Sequence, residues 1–165
     1  MPLKGDIYQI SIKEENLGSH GLPKRSIDNV RILKEGLEGD FNVYRHEILN
    51  DDPDSAVLLM PLETIAELNK EGWPIKPGDI GENITTSGIP YSELAPAKTL
   101  RIGNEVVLQI SRACTPCDNL YLLPYVGDKK GPNFLKVMLG RRGWYARVLQ
   151  EGTVRKGDEI KESPT

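Results

Sequence analysis

The chain has 165 residues, of which 38% are hydrophobic and 27% charged, a composition typical of one globular domain. Its formal net charge of −3 provides no positive field, so we expect no nucleic-acid partner. The N-terminus lacks the apolar run of a secretory signal, and no segment has the roughly 20 apolar residues of a membrane span. The sequence therefore predicts a cytoplasmic protein without a membrane partner.

The first half of the chain alternates short strand patterns with glycine-rich turns. Residues 5–13 and 26–34 have apolar side chains at alternate positions, which predicts two strands. Residues 41–54 are polar and irregular, which predicts a loop. The apolar run 56–60 predicts a central strand. The helical spacing over 61–71 predicts a helix, with proline in its first turn and glycine after its end.

The second half continues this pattern. Residues 100–111 predict a hairpin about a Gly-Asn turn, 132–139 predict a short helix, and 143–150 with 153–160 predict a closing strand pair around Gly152. The sixteen glycines and twelve prolines favour a barrel or sandwich of short strands. No repeat or linker divides the chain, so we predict one domain over residues 5–160, mainly β with a few short helices.

The chain has two cysteines, Cys114 and Cys117, which form a C-x-x-C motif directly after the predicted hairpin. A thioredoxin-like redox pair would require a βαβ context, which the pattern lacks. A zinc site would need two further ligands, and the chain offers His20 and His46. Burial of one or both thiols as small hydrophobic groups is a third interpretation.

A single working thiolate is the fourth interpretation, and we favour it for Cys117. A thiolate binds soft metals and attacks electrophilic sulfur, which hydroxyl and carboxylate groups do poorly. Pro116 would stiffen the loop, and the positive charge of Arg112 would favour the thiolate over the thiol. Disulfides are uncommon in the cytoplasm, so a structural disulfide is the less expected use of the pair.

Basic residues near glycine-rich turns indicate an anion site. Arg141, Arg142 and Arg147 lie close together in the sequence, and Lys24 and Arg25 form a second basic pair. Guanidinium groups match the geometry of phosphate oxygens, so these side chains predict an anion clamp. The alternative is a solvated surface strand with cation–π contacts.

The segment 78–83, with the sequence GDIGEN, places Glu82 and Asn83 after a double-glycine turn. It predicts a backbone nest for an oxyanion that Asn83 orients, and the alternative is a turn before an ordinary strand. His46 is a candidate proton donor in the predicted loop, although a single histidine is more often a satisfied polar residue. Asp40 is most simply a turn cap. The common nucleotide-binding and hydrolase motifs are absent.

Seven short motifs follow one another along the chain: PK at 23–24, GLEGD at 36–40, GDIGENIT at 78–85, LRIG at 100–103, PC at 116–117, GRRGWYA at 140–146 and GD at 157–158. This ordered set resembles the MOSC domain family, named for the C-terminal domain of molybdenum cofactor sulfurases. The resemblance covers nearly the whole chain. It implies a β-barrel-like core of mixed strands with a few peripheral helices.

The resemblance also implies binding of the molybdenum cofactor or delivery of sulfur to metal centres. Cys117, the cysteine after proline, corresponds to the sulfur carrier or molybdenum ligand, and Cys114 is extra to the family pattern. Basic and polar side chains would hold the anionic pterin of the cofactor. The residues that we assign to this role are Lys24, Arg25, His46, Glu82, Asn83, Arg112, Arg141 and Arg142.

Three functions stay open at this point. The chain is too short to hold the desulfurase domain of sulfurases, so a sulfur carrier would receive its persulfide from a separate cysteine desulfurase that carries pyridoxal phosphate. Some bacterial relatives resemble molybdenum-dependent reductases of N-hydroxylated compounds, often with a C-terminal helical extension that this chain lacks. A reductase would then need its electrons from elsewhere, whereas a carrier would hand sulfur or cofactor to a partner such as a molybdoenzyme. A zinc-stabilised or purely structural barrel is the third function.

Overall fold

The computed structural model describes residues 2–14, 22–41, 46 and 50–164. Within these ranges the strands are β1 (Lys4–Ile12), β2 (Arg25–Ile27), β3 (Asn29–Leu33), β4 (Gly36–Leu37), β5 (Val57–Pro61), β6 (Ile84–Ser87), β7 (Thr99–Ile102), β8 (Val106–Ala113), β9 (Trp144–Gln150), β10 (Gly152–Arg155) and β11 (Glu159–Glu162). The α-helices whose full ranges are described are α1 (Leu62–Lys70) and α2 (Gly127–Met138). Short 3₁₀ helices span Pro53–Ser55, Tyr91–Glu93 and Asp118–Leu122.

Seven of these strands close into a barrel in the order β11-β7-β8-β9-β5-β6-β1, and β1 pairs back with β11 through Lys4 and Lys161. Strands β5 and β6 run parallel, and the other neighbours in the barrel run antiparallel. Strand β2 extends the sheet beyond β1, and β10, β3 and β4 form a separate sheet. The prediction of a mainly β, barrel-like fold is confirmed.

The alternation of side chains along the strands sorts the apolar residues into two layers. Ile10, Leu59 and Ile84 are fully buried and belong to the core of the barrel. Met60 lies on the opposite face of β5 and belongs to a second cluster, which includes Phe134 of α2. All residues of β5 are buried, because the barrel core covers one of its faces and the helices cover the other. The predicted central strand is thus confirmed.

Helix α1 forms where apolar residues recur at helical spacing. Ile65 and Leu68 pack into the second cluster, and Ala66 and Glu67 between them are exposed. Pro61 precedes the first turn, and Gly72 follows the last with a φ of +101°. The helix predicted over 61–71 is therefore confirmed. Among the helices in the described ranges, none has both the length and the apolar character that crossing a bilayer requires.

The predicted pairing of residues 143–150 with 153–160 is wrong. Strand β9 pairs with β8 and β5, whereas β10 pairs with β3, and β11 pairs with β7 and β1. A single residue, Glu151, separates β9 from β10, and one residue cannot reverse the chain into a hairpin. Its carboxylate accepts a hydrogen bond from the N–H of Lys34 at 2.7 Å, which directs the chain onto the small sheet.

Helix α2 begins before its predicted start at Pro132, so this proline lies inside the helix. Local propensity disfavours the two glycines of its first turns. Packing explains one of them, because a Cβ on Gly131 would lie 2.3 Å from the ring of Tyr121. The glycine lets α2 approach the 3₁₀ helix Asp118–Leu122 closely. This tertiary contact outweighs the low helix propensity of glycine, which sequence analysis judges from neighbouring residues alone.

Candidate functional site

Strand β8 leads into the loop that carries both cysteines, neither of which forms a disulfide. The N–H of Cys114 donates to the carbonyl of Gly143 at 2.9 Å, which ties this loop to the residue before β9. Cys117 precedes a 3₁₀ helix, and its carbonyl accepts from the N–H of Leu120 at 3.1 Å. Cys114 is buried and Cys117 is partly exposed, so Cys117 is the more accessible thiol.

Arg142 precedes Gly143 and carries a buried positive charge. The residue is 7% exposed, and its Nε and Nη1 have no hydrogen-bond partner among the described residues. The Tyr91 hydroxyl accepts from the N–H of Gly143 at 3.1 Å and donates to the carbonyl of Gly143 at 3.2 Å. A Cβ on Gly143 would lie 2.6 Å from the carbonyl oxygen of Leu59. The backbone here is therefore held firmly, while the guanidinium stays unsatisfied.

Glu82 brings a buried carboxyl group within electrostatic reach of this guanidinium. Its Oε2 accepts from the Thr85 hydroxyl at 2.9 Å, and its Oε1 has no partner in the described part of the chain. Burial raises the pKa of Glu82, and the backbone at Gly78 and the charge of Arg142 partly oppose this rise. Because Oε1 and both Arg142 nitrogens lack partners, the two side chains do not satisfy each other. Buried polar groups of this kind are expected to take a ligand or ordered water.

We expect the free energy of unfolding of the Glu82→Gln variant to increase relative to that of the wild type as the pH rises. The folded-state pKa of Glu82 is raised above its ordinary value of 4.5, so the folded protein retains its proton where the unfolded chain has already lost it. The stability that this proton contributes is complete below pH 4.5 and is lost as the pH rises through the raised pKa. Glutamine has no such loss.

Urea unfolding across a pH series measures this difference. Glu93→Gln, which changes an exposed carboxyl, is the matched control and should show no comparable trend. A stability difference between Glu82→Gln and wild type that stays constant with pH would contradict the prediction.

Sequence analysis missed several polar groups that are wholly or partly buried. Burial raises the pKa of Tyr91, which also lies within electrostatic reach of the Arg142 guanidinium. Thr86 Oγ1 and Trp144 Nε1 are buried without a partner in the described ranges, and the rings of Trp144 and Tyr91 lie 5.8 Å apart. Trp144 belongs to the motif at 140–146, which could have indicated it. No local pattern marks Tyr91.

Two residues predicted to bind the cofactor, Lys24 and Asn83, contact Asp40 in a buried network. Lys24 Nζ donates to Asp40 Oδ2 at 2.8 Å, and the two side chains are 1% and 0% exposed. Asn83 Nδ2 donates to the same oxygen at 2.9 Å, and Asn83 Oδ1 accepts from the N–H of Leu58 at 3.0 Å. The N–H of Lys13 donates to Asp40 Oδ1 at 2.8 Å. The network fixes the start of β6 against β1 and β5.

The other two arginines of the predicted clamp, Arg141 and Arg147, are paired with carboxylates. Arg141 Nη1 and Nη2 donate to the two carboxylate oxygens of Glu71 at 2.6 and 2.9 Å. Arg147 Nε donates to Asp54 Oδ1 at 2.7 Å. These hydrogen bonds lower the pKa of each carboxyl group. Of the three arginines, Arg142 is the one whose buried nitrogens lack a partner within the described residues.

Arg112 anchors the segment before β5. Its Nη2 donates to the Ser55 hydroxyl, its Nη1 lies 3.4 Å from Asp52 Oδ2, and its guanidinium carbon lies 5.3 Å from the centre of the Tyr145 ring. The side chain is about two-fifths exposed, at 41%. Arg112 therefore combines a structural contact with access to solvent on the strand that leads to the cysteines.

The remaining predicted residues lie at the surface or outside the described ranges. Arg25 forms an exposed ion pair with Glu14, and His46 Nδ1 lies 3.0 Å from Asp51 Oδ2, also exposed. His20 and half of the predicted loop 41–54 lie outside the described residues. Within the described ranges, no group of three or more His, Cys, Asp or Glu side chains is arranged to hold a metal ion.

Comparison with known proteins agrees with the family resemblance of the sequence motifs. The family model of the MOSC domain matches residues 44–161. YflK of Bacillus subtilis is 30% identical over 145 residues, which cover 86% of this chain and 62% of that protein. A protein named as a reductase from Gibberella moniliformis is 33% identical over 85 residues, which cover 50% of this chain and 14% of that protein. The chain thus spans less than two thirds of the length of either relative.

Solved structures share the fold along nearly the whole chain. YuaD of Bacillus subtilis superposes with a TM-score of 0.81 at 20% identity, covering 100% of this chain and 99% of that one. YiiM of Geobacillus stearothermophilus superposes with a TM-score of 0.73 at 23% identity, covering 97% and 75%. The family match over most of the chain confirms the resemblance inferred from the seven motifs. This chain belongs to the MOSC domain family.

Proposed function

We propose that this protein binds the molybdenum cofactor beside the cysteine loop and uses Cys117 as the thiolate that contacts the metal or carries sulfur to it. The observation that carries this proposal is the guanidinium of Arg142, which is buried with Nε and Nη1 unpartnered among the described residues. An isolated buried charge is strongly unfavourable, so a bound anion would stabilise this site. The phosphate and pterin oxygens of the cofactor would supply such an anion.

The chemistry of the donor set also fits the cofactor. Arg142 would hold an anionic oxygen, and Glu82, whose carboxyl favours the protonated form, would donate to a neighbouring acceptor. Lys24 and Asn83 would stabilise the backbone beside the site through their hydrogen bonds to Asp40. When bound, the molybdenum centre would supply two-electron redox chemistry and a preference for sulfur ligands.

In the sulfur-carrier role, Cys117 would accept a sulfur atom by thiol–persulfide exchange. Its thiolate would attack the outer sulfur of a persulfide on a separate cysteine desulfurase, whose pyridoxal phosphate generates that persulfide. The donor S–S bond breaks as the new one forms at Cys117, and the donor cysteine leaves as a thiolate. No net oxidation or reduction accompanies the transfer. Partial exposure of Cys117, against the burial of Cys114, supports its assignment as the acceptor.

A molybdenum-dependent reductase of N-hydroxylated compounds is the second candidate. The match to a protein named as a reductase favours it, over 50% of this chain. That match covers 14% of the relative, and a reductase would need an electron supply beyond this MOSC domain. Reduction of an N-hydroxylated base by the purified protein with a chemical electron donor would distinguish this activity from cofactor or sulfur delivery.

We expect Cys117→Ser to remove molybdenum or sulfur loading. The protein is purified from a molybdenum-replete, cofactor-competent host, and elemental analysis is paired with intact-mass spectrometry. Wild type should contain molybdenum, or gain about 32 Da, one sulfur atom, after incubation with a cysteine desulfurase. Hydroxyl oxygen is a poor ligand for soft metals and forms no persulfide, so the variant should show neither.

Cys114→Ser is the matched control, because it changes the buried cysteine of the same loop and should retain loading. Full molybdenum content and persulfide formation in Cys117→Ser would overturn the proposal. Stoichiometric zinc in its place, with loss of fold on chelation, would instead support a structural barrel.

A further inference from the structure

A cavity of about 590 Å³ opens between the end of α1 and one side of α2. Its volume falls in the range of about 300–1,000 Å³ that is typical of small-molecule sites. None of the residues assigned to the cofactor lines it. The lining residues are Glu71, Gly72, Trp73, Pro74, Tyr125, Lys130, Asn133 and Val137.

The aromatic walls of this cavity are held in place. The Trp73 ring packs against the ring of Phe134, with centroids 4.7 Å apart and planes tilted by 54°. The carbonyl of Trp73 accepts from Asn69 Nδ2 at 2.8 Å. The Tyr125 hydroxyl donates to Asp79 Oδ2 at 3.0 Å. A pre-organised wall of this kind binds a ligand without a large ordering penalty.

The charges along the wall are matched except at one position. Glu71 is neutralised by its paired hydrogen bonds with Arg141. Tyr125 stays uncharged, because burial and the neighbouring Asp79 raise its pKa. The Lys130 ammonium has no ion-pair partner among the described residues. The cavity therefore presents one unmatched positive charge in a protein whose net charge is −3.

The amide of Asn133 lies one helical turn beyond Lys130 on α2, and it too lines the cavity. Its side chain makes no hydrogen bond with the described residues, so its NH₂ group is available to donate. A cation and an amide donor three residues apart on one helix lie on the same face. Together they can bind the two oxygens of a carboxylate, while the indole of Trp73 covers a flat apolar ring.

We propose that this cavity is a ligand site for a planar aromatic carboxylate, with Trp73 against the ring and Lys130 and Asn133 on the carboxylate. The assignment goes beyond the cofactor site and does not depend on it. It rests on the cavity, its fixed aromatic wall and its one unmatched charge.

The test uses 2-naphthoate as the probe and follows the two tryptophan indole N–H resonances of the full chain by NMR. Trp73 lines the cavity, so its resonance should move on titration. Trp144 does not line it, so its resonance serves as an internal reference. The neutral analogue 2-naphthamide should bind more weakly, by about three- to tenfold, because it cannot pair with the ammonium.

Lys130→Met should weaken binding of 2-naphthoate by a similar factor, whereas Lys129→Met, on the adjacent exposed position of α2, should leave it unchanged. The proposal is overturned if 2-naphthoate does not shift Trp73, if it shifts Trp144 instead, or if the amide binds as well as the acid. Equal weakening by the two lysine variants would also overturn the proposal, because it would indicate that the positive surface of α2 in general attracts 2-naphthoate. The wild-type comparison of acid and amide stands even if a variant fails to fold.

Discussion

Arg142→Met is expected to leave the free protein at least as stable as wild type while abolishing its loading with cofactor. In the free protein the buried guanidinium has two nitrogens without partners among the described residues, and each unsatisfied buried group is unfavourable by about 1 kcal/mol or more. Methionine fills similar space without polar atoms, so the free energy of unfolding should rise by about 1 kcal/mol. The anion that Arg142 would bind then has no counter-charge. Urea unfolding and molybdenum analysis measure the two effects.

The neighbouring Arg141→Met is the matched control and should behave in the opposite way. It removes the paired hydrogen bonds to Glu71 and those to the Val137 carbonyl, so stability should fall. Cofactor loading should persist wherever the variant remains folded. A marked loss of stability in Arg142→Met would show that Arg142 has a structural partner. Unchanged cofactor loading in that variant would refute the role assigned to Arg142.

The second large effect concerns the buried ion pair of Lys24 and Asp40. Asp40→Asn removes the negative charge that faces the buried Lys24 ammonium, and Lys24→Met removes the positive charge that faces the buried Asp40 carboxylate. Loss of one partner from a buried pair is unfavourable by about 3–5 kcal/mol. Each single variant should therefore lower the free energy of unfolding by about this amount, as measured by urea denaturation.

The double variant Asp40→Asn with Lys24→Met supplies the control. Because neither charge remains, it should be clearly more stable than the sum of the two single effects predicts, and the thermodynamic cycle should give a coupling of about 1–3 kcal/mol. The amide oxygen introduced by Asp40→Asn can still accept from the N–H of Lys13, whereas the NH₂ group that replaces Oδ2 cannot accept from Asn83 Nδ2. The loss of that hydrogen bond is common to the single and double variants, so it cancels in the cycle. Additive losses in the double variant would show that the two side chains act independently.

The fold was predictable because its sequence patterns are local. Alternation in residues 5–13, the apolar run 56–60 and the helical spacing of Ile65 and Leu68 each depend on neighbours in the chain. The errors concern partners that are distant in sequence. Pairing of β10 with β3 depends on Glu151 reaching Lys34, and the early start of α2 depends on Gly131 meeting Tyr121.

The candidate site was less predictable for the same reason. Sequence analysis identified Lys24 and Asn83 as polar residues near glycine-rich turns, but their contact with Asp40 joins three separate motifs. Arg141 and Arg142 are adjacent and chemically identical. One reaches Glu71 at the end of α1 and the other is buried, and nothing in the local sequence distinguishes them. The roles of these residues therefore remain predictions that the variants above address.

The pairing of Lys4 with Lys161 joins the two ends of the described barrel. A ring closed in this way depends on contacts between residues far apart in the chain, and such topologies fold slowly because long loops must close first. During synthesis, β1 leaves the ribosome well before β11 exists. The first residues of β1, which pair with β11, therefore wait without that partner, while the end of β1 can already pair with β2. Exposed edges pair readily with strands of other chains. The nascent chain is thus more prone to aggregation in the interval before β11 is translated.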